Sequence, residues 1–241
     1  MKLIKKLWVL VLFSTVSAMA FASSEAHLDK APASLSDQAS LQRGAKFFVV
    51  NCIACHSAAY MRYNRLADIG MTEAEIKTLL PEGSKLGSTM KAAMDSESAK
   101  MAFGAAPPDL SVIARSRGND WLYTYLRSFY ADATRPNGVN NVLFPLVAMP
   151  NILGGLQGEQ ALVVEKHEGG HEVQMLKLTT PGSMTTAEFD ATVGDLVNYL
   201  DFMGEPAKLV RYKIGYIVLG FLFLLLILTY ALKKEFWKDI H

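Results

Sequence analysis

Two uninterrupted apolar segments lie near the ends of the chain, at residues 7–16 and 214–232. The first follows three lysines and precedes small residues typical of a cleavage site, which predicts a secretory signal peptide over residues 1–22. The second is uncharged and 19 residues long, so as a helix it spans about 28 Å, close to the thickness of a bilayer core. We therefore expect an exported domain over residues 23–207 and a membrane anchor over residues 208–241. An uncleaved N-terminal anchor and a buried helix of a soluble protein are the respective alternatives.

Between these ends, the spacing of apolar residues and the capping signals predict short helices. Asp37 can cap a helix that leads through Leu41 and Phe48 to the two cysteines. Helices are also expected after Thr72, where the helix should end before Pro81, over residues 121–130 behind a cap at Asn119 or Asp120, and after Thr185. The last of these carries an apolar stripe expected to pack on the helix that precedes the cysteines.

One stretch has strand-like rather than helical character. The β-prone runs at residues 161–164 and 173–178 flank a polar segment with His167 and His171, which predicts a hairpin with a solvated tip. Residues 135–145, rich in Asn, Gly and Pro, are expected to form a loop. The predicted fold class is mainly α, with a small β-hairpin insertion and one C-terminal transmembrane helix.

The charge of the whole chain conceals an acidic domain. The 241 residues carry a net charge of +1, but residues 23–207 hold 15 of the 24 basic and 21 of the 23 acidic residues, a net charge of −6. This balance argues against nucleic-acid binding and favours long-range attraction of cationic partners, although simple solubility is an alternative explanation.

Both cysteines of the chain lie in the sequence Cys52-Ile53-Ala54-Cys55-His56. The pattern C-x-x-C-H is the attachment site of a c-type haem, because two thiols at this spacing reach the two vinyl groups of one porphyrin and the adjacent histidine reaches the iron. A thioredoxin-like redox pair would need a βαβ context, and a structural zinc site would need further ligands. The motif therefore predicts one covalently attached haem with His56 as an axial ligand.

The second axial ligand is less closely determined by the residues alone. Most of the eleven methionines fall on helical faces, but Met149 lies between Pro145 and Pro150 in a segment where prolines suppress helix. Such a loop can hold a thioether at the iron, and Met101 is the next choice. A metal site at His167 and His171 is a further alternative.

Several short segments follow one another in a distinctive order along the chain: CIACHS at residues 52–57, MTEAE at 71–75, PPDLS at 107–111, ARSR at 114–117, AMP at 148–150 and GEP at 204–206. Together they resemble the cytochrome c1 family, in particular its proteobacterial members. The resemblance implies Met149 as the distal ligand, Arg117 beside a haem propionate, and Pro107 and Pro108 in the haem crevice. Some bacterial relatives carry a disulfide that steadies the distal loop. No cysteine is left for one here, so rigidity is expected from packing and from the prolines.

The resemblance also implies a function and its partners. It implies single-electron transfer from the Rieske iron–sulfur protein to a soluble or membrane-tethered cytochrome c, with the anchor packed on cytochrome b and no substrate chemistry in this subunit. The location implied is the bacterial inner membrane, with the haem domain in the periplasm. The alternatives are an anchored cytochrome of a terminal oxidase or periplasmic dehydrogenase, a haem enzyme with an open sixth position, and a structural anchor with a vestigial haem site.

Overall fold

A computed structural model describes residues 27–166 and 172–239. The predicted signal peptide and the two histidines of the hairpin tip lie outside these residues. The helices within the described part are α1 (Gln38–Asn51), α2 (Glu73–Thr78), α3 (Ser96–Phe103), α4 (Ile113–Arg117), α5 (Asn119–Arg127), α6 (Gly154–Gln157), α7 (Thr186–Gly204) and α8 (Lys208–Phe236), with a 3-10 helix at Tyr63–Ile69. The strands form three antiparallel pairs, β1 (Ala58–Arg62) with β2 (Thr89–Met90), β3 (Phe129–Ala131) with β4 (Val139–Asn141), and β5 (Gly158–Lys166) with β6 (Glu172–Pro181).

Helices α1 and α7 pack against each other and form the centre of the domain. Gly44 allows this close approach, because a side chain there would collide with the carbonyl group of Asp195 and with Tyr199. At the edge of the contact, Arg43 donates to both carboxylate oxygens of Asp195 at 2.6 and 2.9 Å. The prediction that the apolar stripe of α7 packs on the helix leading to the cysteines is confirmed.

The predicted caps of α1, α2 and α7 are confirmed. The Asp37 side chain accepts from the backbone N–H of Ser40, and Thr72 and Thr185 each form a complete capping box with the glutamate three residues later. These caps depend only on residues within one turn, so the local sequence is sufficient to identify them.

The prediction for α5 is wrong at both ends. Neither Asn119 nor Asp120 caps the helix, which begins at Asn119 directly after Gly118. The Asp120 carboxylate instead accepts from the backbone N–H of Ala31, in the segment that precedes α1. The helix ends at Arg127 rather than residue 130, because residues 129–131 pair with Val139–Asn141 as a β-ladder. Val139–Asn141 lies within residues 135–145, which were expected to form a loop.

Arg127, the last residue of α5, connects this helix to two other parts of the domain. Its guanidinium donates to Asp190 of α7 and to Asp29 of the N-terminal segment, each at 2.6 Å, and lies 4.4 Å from the centre of the Tyr123 ring. These contacts connect α5 to helix α7 and to the N-terminal segment. Other side chains of α5 line the cavity described below.

The hairpin and the C-terminal helix agree with the predicted fold class. Strands β5 and β6 pair in register from Gln160 with Leu178 to Lys166 with Glu172. Helix α8 contains a section, Val210–Phe236, that is long and apolar enough to cross a membrane, with a mean hydropathy of 2.4 and no residue buried in the protein.

Candidate cofactor site

A cavity of about 340 Å³ lies between the end of α1, helix α5, helix α7 and two irregular segments. Its lining is largely apolar and includes the side chains of Leu196 and Leu200 from α7. The structure brings every site residue predicted from the sequence to this one cavity: Cys52, Cys55, His56, Pro107, Pro108, Arg117 and Met149. Met101 is not among the lining residues and is 81% exposed on α3.

The two thiols enter the cavity where α1 ends. Cys52 terminates the helix, and its carbonyl oxygen accepts from the backbone N–H groups of Cys55 and His56 at 3.1 and 2.8 Å. This tight turn places both cysteines and the histidine on one wall. Both thiols are free, and burial raises the pKa of Cys52 to about 12. The zinc alternative has no support among the described residues, which contain no group of three or more His, Cys, Asp and Glu able to hold a metal ion.

His56 is held in one orientation by a backbone carbonyl group of the two-proline segment, residues 107–108. Its Nδ1 lies 2.8 Å from the carbonyl oxygen of Pro108, which can only accept, so Nδ1 carries the proton and Nε2 is left as the basic nitrogen. Burial lowers the pKa of His56, although the Pro108 hydrogen bond and nearby Asp109 oppose this shift. A neutral imidazole with a fixed tautomer is the arrangement that metal-binding histidines require.

Asp109 holds the two-proline segment in place. Its carboxylate accepts from the backbone N–H of Ala59 and of Ser111, both at 2.8 Å. Partial desolvation raises the pKa of Asp109, but these hydrogen bonds outweigh it and the pKa lies below its usual value. The carbonyl group that orients His56 is therefore fixed by the neighbouring residue.

The depressed pKa of Asp109 leads to a prediction about acid stability. A carboxyl group whose pKa is lower in the folded state stabilises the fold above its unfolded pKa of about 3.9, and this contribution is lost as the pH falls through the folded value. Asp109→Asn should therefore destabilise the protein at pH 7, by about 1 kcal/mol or less because the group is exposed to solvent. The difference from wild type should shrink as the pH falls below about 3.9 and vanish once the pH lies below the folded pKa.

Denaturant unfolding as a function of pH measures this difference. Glu82→Gln is the control, since Glu82 is exposed and makes no hydrogen bond within the described residues. A constant difference between Asp109→Asn and wild type from pH 7 to pH 3 would mean that the ionised carboxylate contributes nothing.

Met149 lines the same cavity from a loop that follows β4. The Tyr125 hydroxyl donates to its Sδ atom at 3.4 Å. The loop contains Leu146, whose φ of 62° makes it the one described non-glycine residue with positive φ. The thioether is thus placed by a strained turn and by a direct contact with α5.

Arg117 lies at the mouth of the cavity, at the end of α4. Its guanidinium carbon is 4.9 Å from the centre of the Trp121 ring, which also lines the cavity. Within the described residues no carboxylate lies within salt-bridge distance of Arg117. Its donors therefore remain available for an anionic group at this edge.

Comparison with known proteins decides the family. A family model described as the Cytochrome C1 family matches residues 29–85 and 84–240. The chain is 52% identical to cytochrome c1 of Allochromatium vinosum over 220 residues, covering 89% of this chain and 90% of the relative. The chain belongs to the cytochrome c1 family. It is also 29% identical to cytochrome c1 of Rhodospirillum rubrum over 85% of its length and 83% of the relative's. A protein of Nitrosomonas europaea named the gamma subunit of ammonia monooxygenase is 50% identical over the full length of both chains.

Membership of the cytochrome c1 family implies a c-type haem, and the residues around the cavity fit that group. An apolar cavity suits the macrocycle, while two free thiols, a neutral imidazole, a thioether and an unpaired guanidinium are the donors that a c-type haem uses. A second cavity, beside Arg115, Asp201 and Glu205, has a mainly polar lining.

The structure also shows which contacts hold the loop that carries Met149. Asn141 is fully buried, and its amide donates to the carbonyl of Tyr125 at 2.8 Å and accepts from the N–H groups of Leu143 and Phe144 at 3.0 Å. The neighbouring Asn140 accepts from the N–H of Leu146 at 2.9 Å. Rigidity was expected from packing and from the prolines, and this amide network was not predicted. The adjacent asparagines between an aromatic strand and a proline-rich loop were the available signal.

Proposed function

We propose that this chain is a membrane-anchored c-type cytochrome that carries one covalently attached haem and transfers single electrons in a quinol–cytochrome c oxidoreductase. The relatives support the broader statement that the chain is a haem electron-transfer subunit of that complex. The observation that carries the proposal is the convergence of His56, Met149 and the two thiols on one apolar cavity.

Each site residue then has a defined role. Cys52 and Cys55 would hold the haem covalently through their Sγ atoms. His56 through Nε2 and Met149 through Sδ would be the two protein ligands of the iron. Arg117 would pair with a propionate, and Pro107 and Pro108 would close the crevice beside His56. The bound haem supplies a one-electron couple, and methionine ligation with burial favours its reduced form.

With both ligands in place the iron would have no position open to a substrate, and electrons would pass through the haem edge. By analogy with the family, we propose the Rieske iron–sulfur protein as the donor and a soluble or membrane-tethered cytochrome c as the acceptor. Helix α8 would pack on cytochrome b. The signal peptide and anchor would place the domain in the periplasm, on the outer face of the inner membrane.

Purification in mild detergent tests this proposal. The expected result is a red protein that keeps its pigment in acidic acetone, gives a c-type pyridine haemochrome and co-purifies with cytochrome b. Pigment released by acidic acetone, or no pigment, would rule out covalent haem. Rapid carbon monoxide binding to the reduced native protein would favour the haem-enzyme alternative. Purification with an oxidase or dehydrogenase, and without cytochrome b, would favour those partners.

A second candidate function comes from the relative named as an ammonia monooxygenase subunit. A similarity over the full length of both chains favours the same role in both, whichever it is. The co-purification experiment distinguishes the two candidates, because a monooxygenase subunit would purify with the ammonia-oxidising activity and without quinol–cytochrome c reductase activity.

The acidic domain gives a prediction about ionic strength. With a net charge of −6 on residues 23–207, electron transfer to a basic cytochrome c should slow about tenfold or more between roughly 0.01 and 0.15 M salt. Over that range the screening length falls from about 30 to 8 Å, and the electrostatic gain in association rate is lost. Stopped-flow reduction of a basic acceptor measures the effect, with an acidic cytochrome c as control. Equal salt dependence for the two acceptors would contradict electrostatic steering.

A further inference from the structure

Tyr125 is the one polar side chain of the described residues that makes a hydrogen bond to the Met149 sulfur. We infer that Tyr125 is a positioning residue, whose hydroxyl orients the Met149 thioether and reduces its electron donation to the iron. This inference rests on the proposed function, since it treats Met149 as an iron ligand.

The direction of the hydrogen bond follows from the atoms. A thioether has no hydrogen to donate, so at 3.4 Å the hydroxyl must be the donor and Sδ the acceptor. The sulfur has two lone pairs. Binding one of them to Tyr125 leaves the other for the metal, which selects one of the two configurations that the ligating sulfur can adopt.

The Tyr125 ring is held in place on several sides, so the hydroxyl has little freedom to leave. The ring stacks on Trp121 at 4.9 Å between centres with planes 10° apart, and it meets the edges of Phe129 at 5.3 Å and Phe144 at 6.5 Å. Its carbonyl group accepts from Asn141. Both ends of Tyr125 therefore contact the segment that carries Met149.

The hydrogen bond should affect the balance between the two oxidation states. Electron density drawn from the sulfur by the hydroxyl makes Met149 a weaker donor, and oxidised iron depends more on that donation than reduced iron does. Loss of the hydroxyl should therefore favour the oxidised state. One neutral hydrogen bond changes an equilibrium constant by about two- to tenfold.

The chain offers a closely matched control. The Tyr199 hydroxyl donates to the sulfur of Met90 at 3.5 Å, but both residues lie in the core and neither lines the cavity. Tyr125→Phe and Tyr199→Phe thus remove the same group from the same kind of contact, once at the candidate ligand and once away from it.

The test compares both variants with wild type as full-length chains in the detergent-purified complex. For Tyr125→Phe we expect covalent haem at the wild-type level, an equilibrium constant for reduction about two- to tenfold lower, and a shifted near-infrared sulfur-to-iron charge-transfer band in the oxidised protein. For Tyr199→Phe we expect the wild-type potential and band. A wild-type potential and band in Tyr125→Phe would overturn the inference.

A measurement on the unaltered protein covers the case in which a variant does not accumulate. In the reduced, diamagnetic wild-type protein, nuclear magnetic resonance should show a nuclear Overhauser effect between the Tyr125 hydroxyl proton and the Met149 methyl group. Its absence would also overturn the inference. A wild-type protein with no covalent haem, or with haem but no sulfur-to-iron band, would instead contradict the proposed function.

Discussion

Met149→Leu should retain its covalent haem while its midpoint potential falls steeply. In the proposed site the haem is attached through Cys52 and Cys55, so its attachment does not require Met149. Leucine fills a similar volume but has no atom that can bind iron. Axial ligands alter haem potentials over a range of about 0.8 V, and methionine lies at the high end of that range. The expected fall is a large part of that range, far beyond the effect expected for Tyr125→Phe.

Redox titration of the purified protein, followed at the haem absorption bands, measures this effect. Met101→Leu is the matched control, because it makes the same change at a methionine that is 81% exposed and does not line the cavity. The control should keep the wild-type potential. An unchanged midpoint in Met149→Leu would refute the ligand assignment, and a fall in Met101→Leu alone would transfer it to Met101.

Ligand binding provides an independent measurement on the same variant. With the methionine gone, the position opposite His56 is vacant, so the reduced Met149→Leu protein should bind carbon monoxide while wild type does not. Carbon monoxide binding to neither protein would contradict Met149 as the group that closes the sixth position.

The sequence was sufficient for features determined within a few residues of the chain. The Cys52–His56 motif, the capping boxes at Thr72 and Thr185, and the apolar stripe of α7 all follow from spacing, and the structure agrees with each helix predicted from them. The convergence of distant segments on one cavity was predictable only through the resemblance to a family. Spacing alone does not relate residue 56 to residue 149.

Features that depend on contacts between distant segments could not be predicted. Asp120 looks like a helix cap, but its carboxylate instead accepts from Ala31, 89 positions away. The Tyr125 contact with Met149 depends on where the β3–β4 ladder ends, and that ladder shortened α5 against expectation. Secondary-structure propensity depends on a residue and its neighbours in the sequence, whereas these contacts depend on which distant residues the fold brings close together.

Asn141→Ala should destabilise the domain and also increase the mobility of the loop that carries Met149. The side-chain amide of this fully buried residue serves three backbone groups, the carbonyl of Tyr125 and the N–H groups of Leu143 and Phe144. Each unpaired backbone group costs about 1–3 kcal/mol, less where water can reach it, so we expect a loss of about 2–4 kcal/mol in the free energy of unfolding. The loop that carries Met149 loses one of its attachments to α5 in the same change, the Asn141 bond to the Tyr125 carbonyl.

Two measurements separate the effect on the loop from the effect on the fold. Denaturant unfolding reports the stability, and the rate of cyanide binding to the oxidised protein reports how often Met149 leaves the iron. In Asn141→Ala the stability should fall and the rate of cyanide binding should rise. The control is Asn119→Ala, at an asparagine that makes no capping bond at the start of α5. Lower stability with a wild-type cyanide rate would mean that Asn141 supports the β3–β4 ladder alone. A faster cyanide rate in Asn141→Ala, with wild-type behaviour in the control, would show that this buried amide keeps Met149 on the iron.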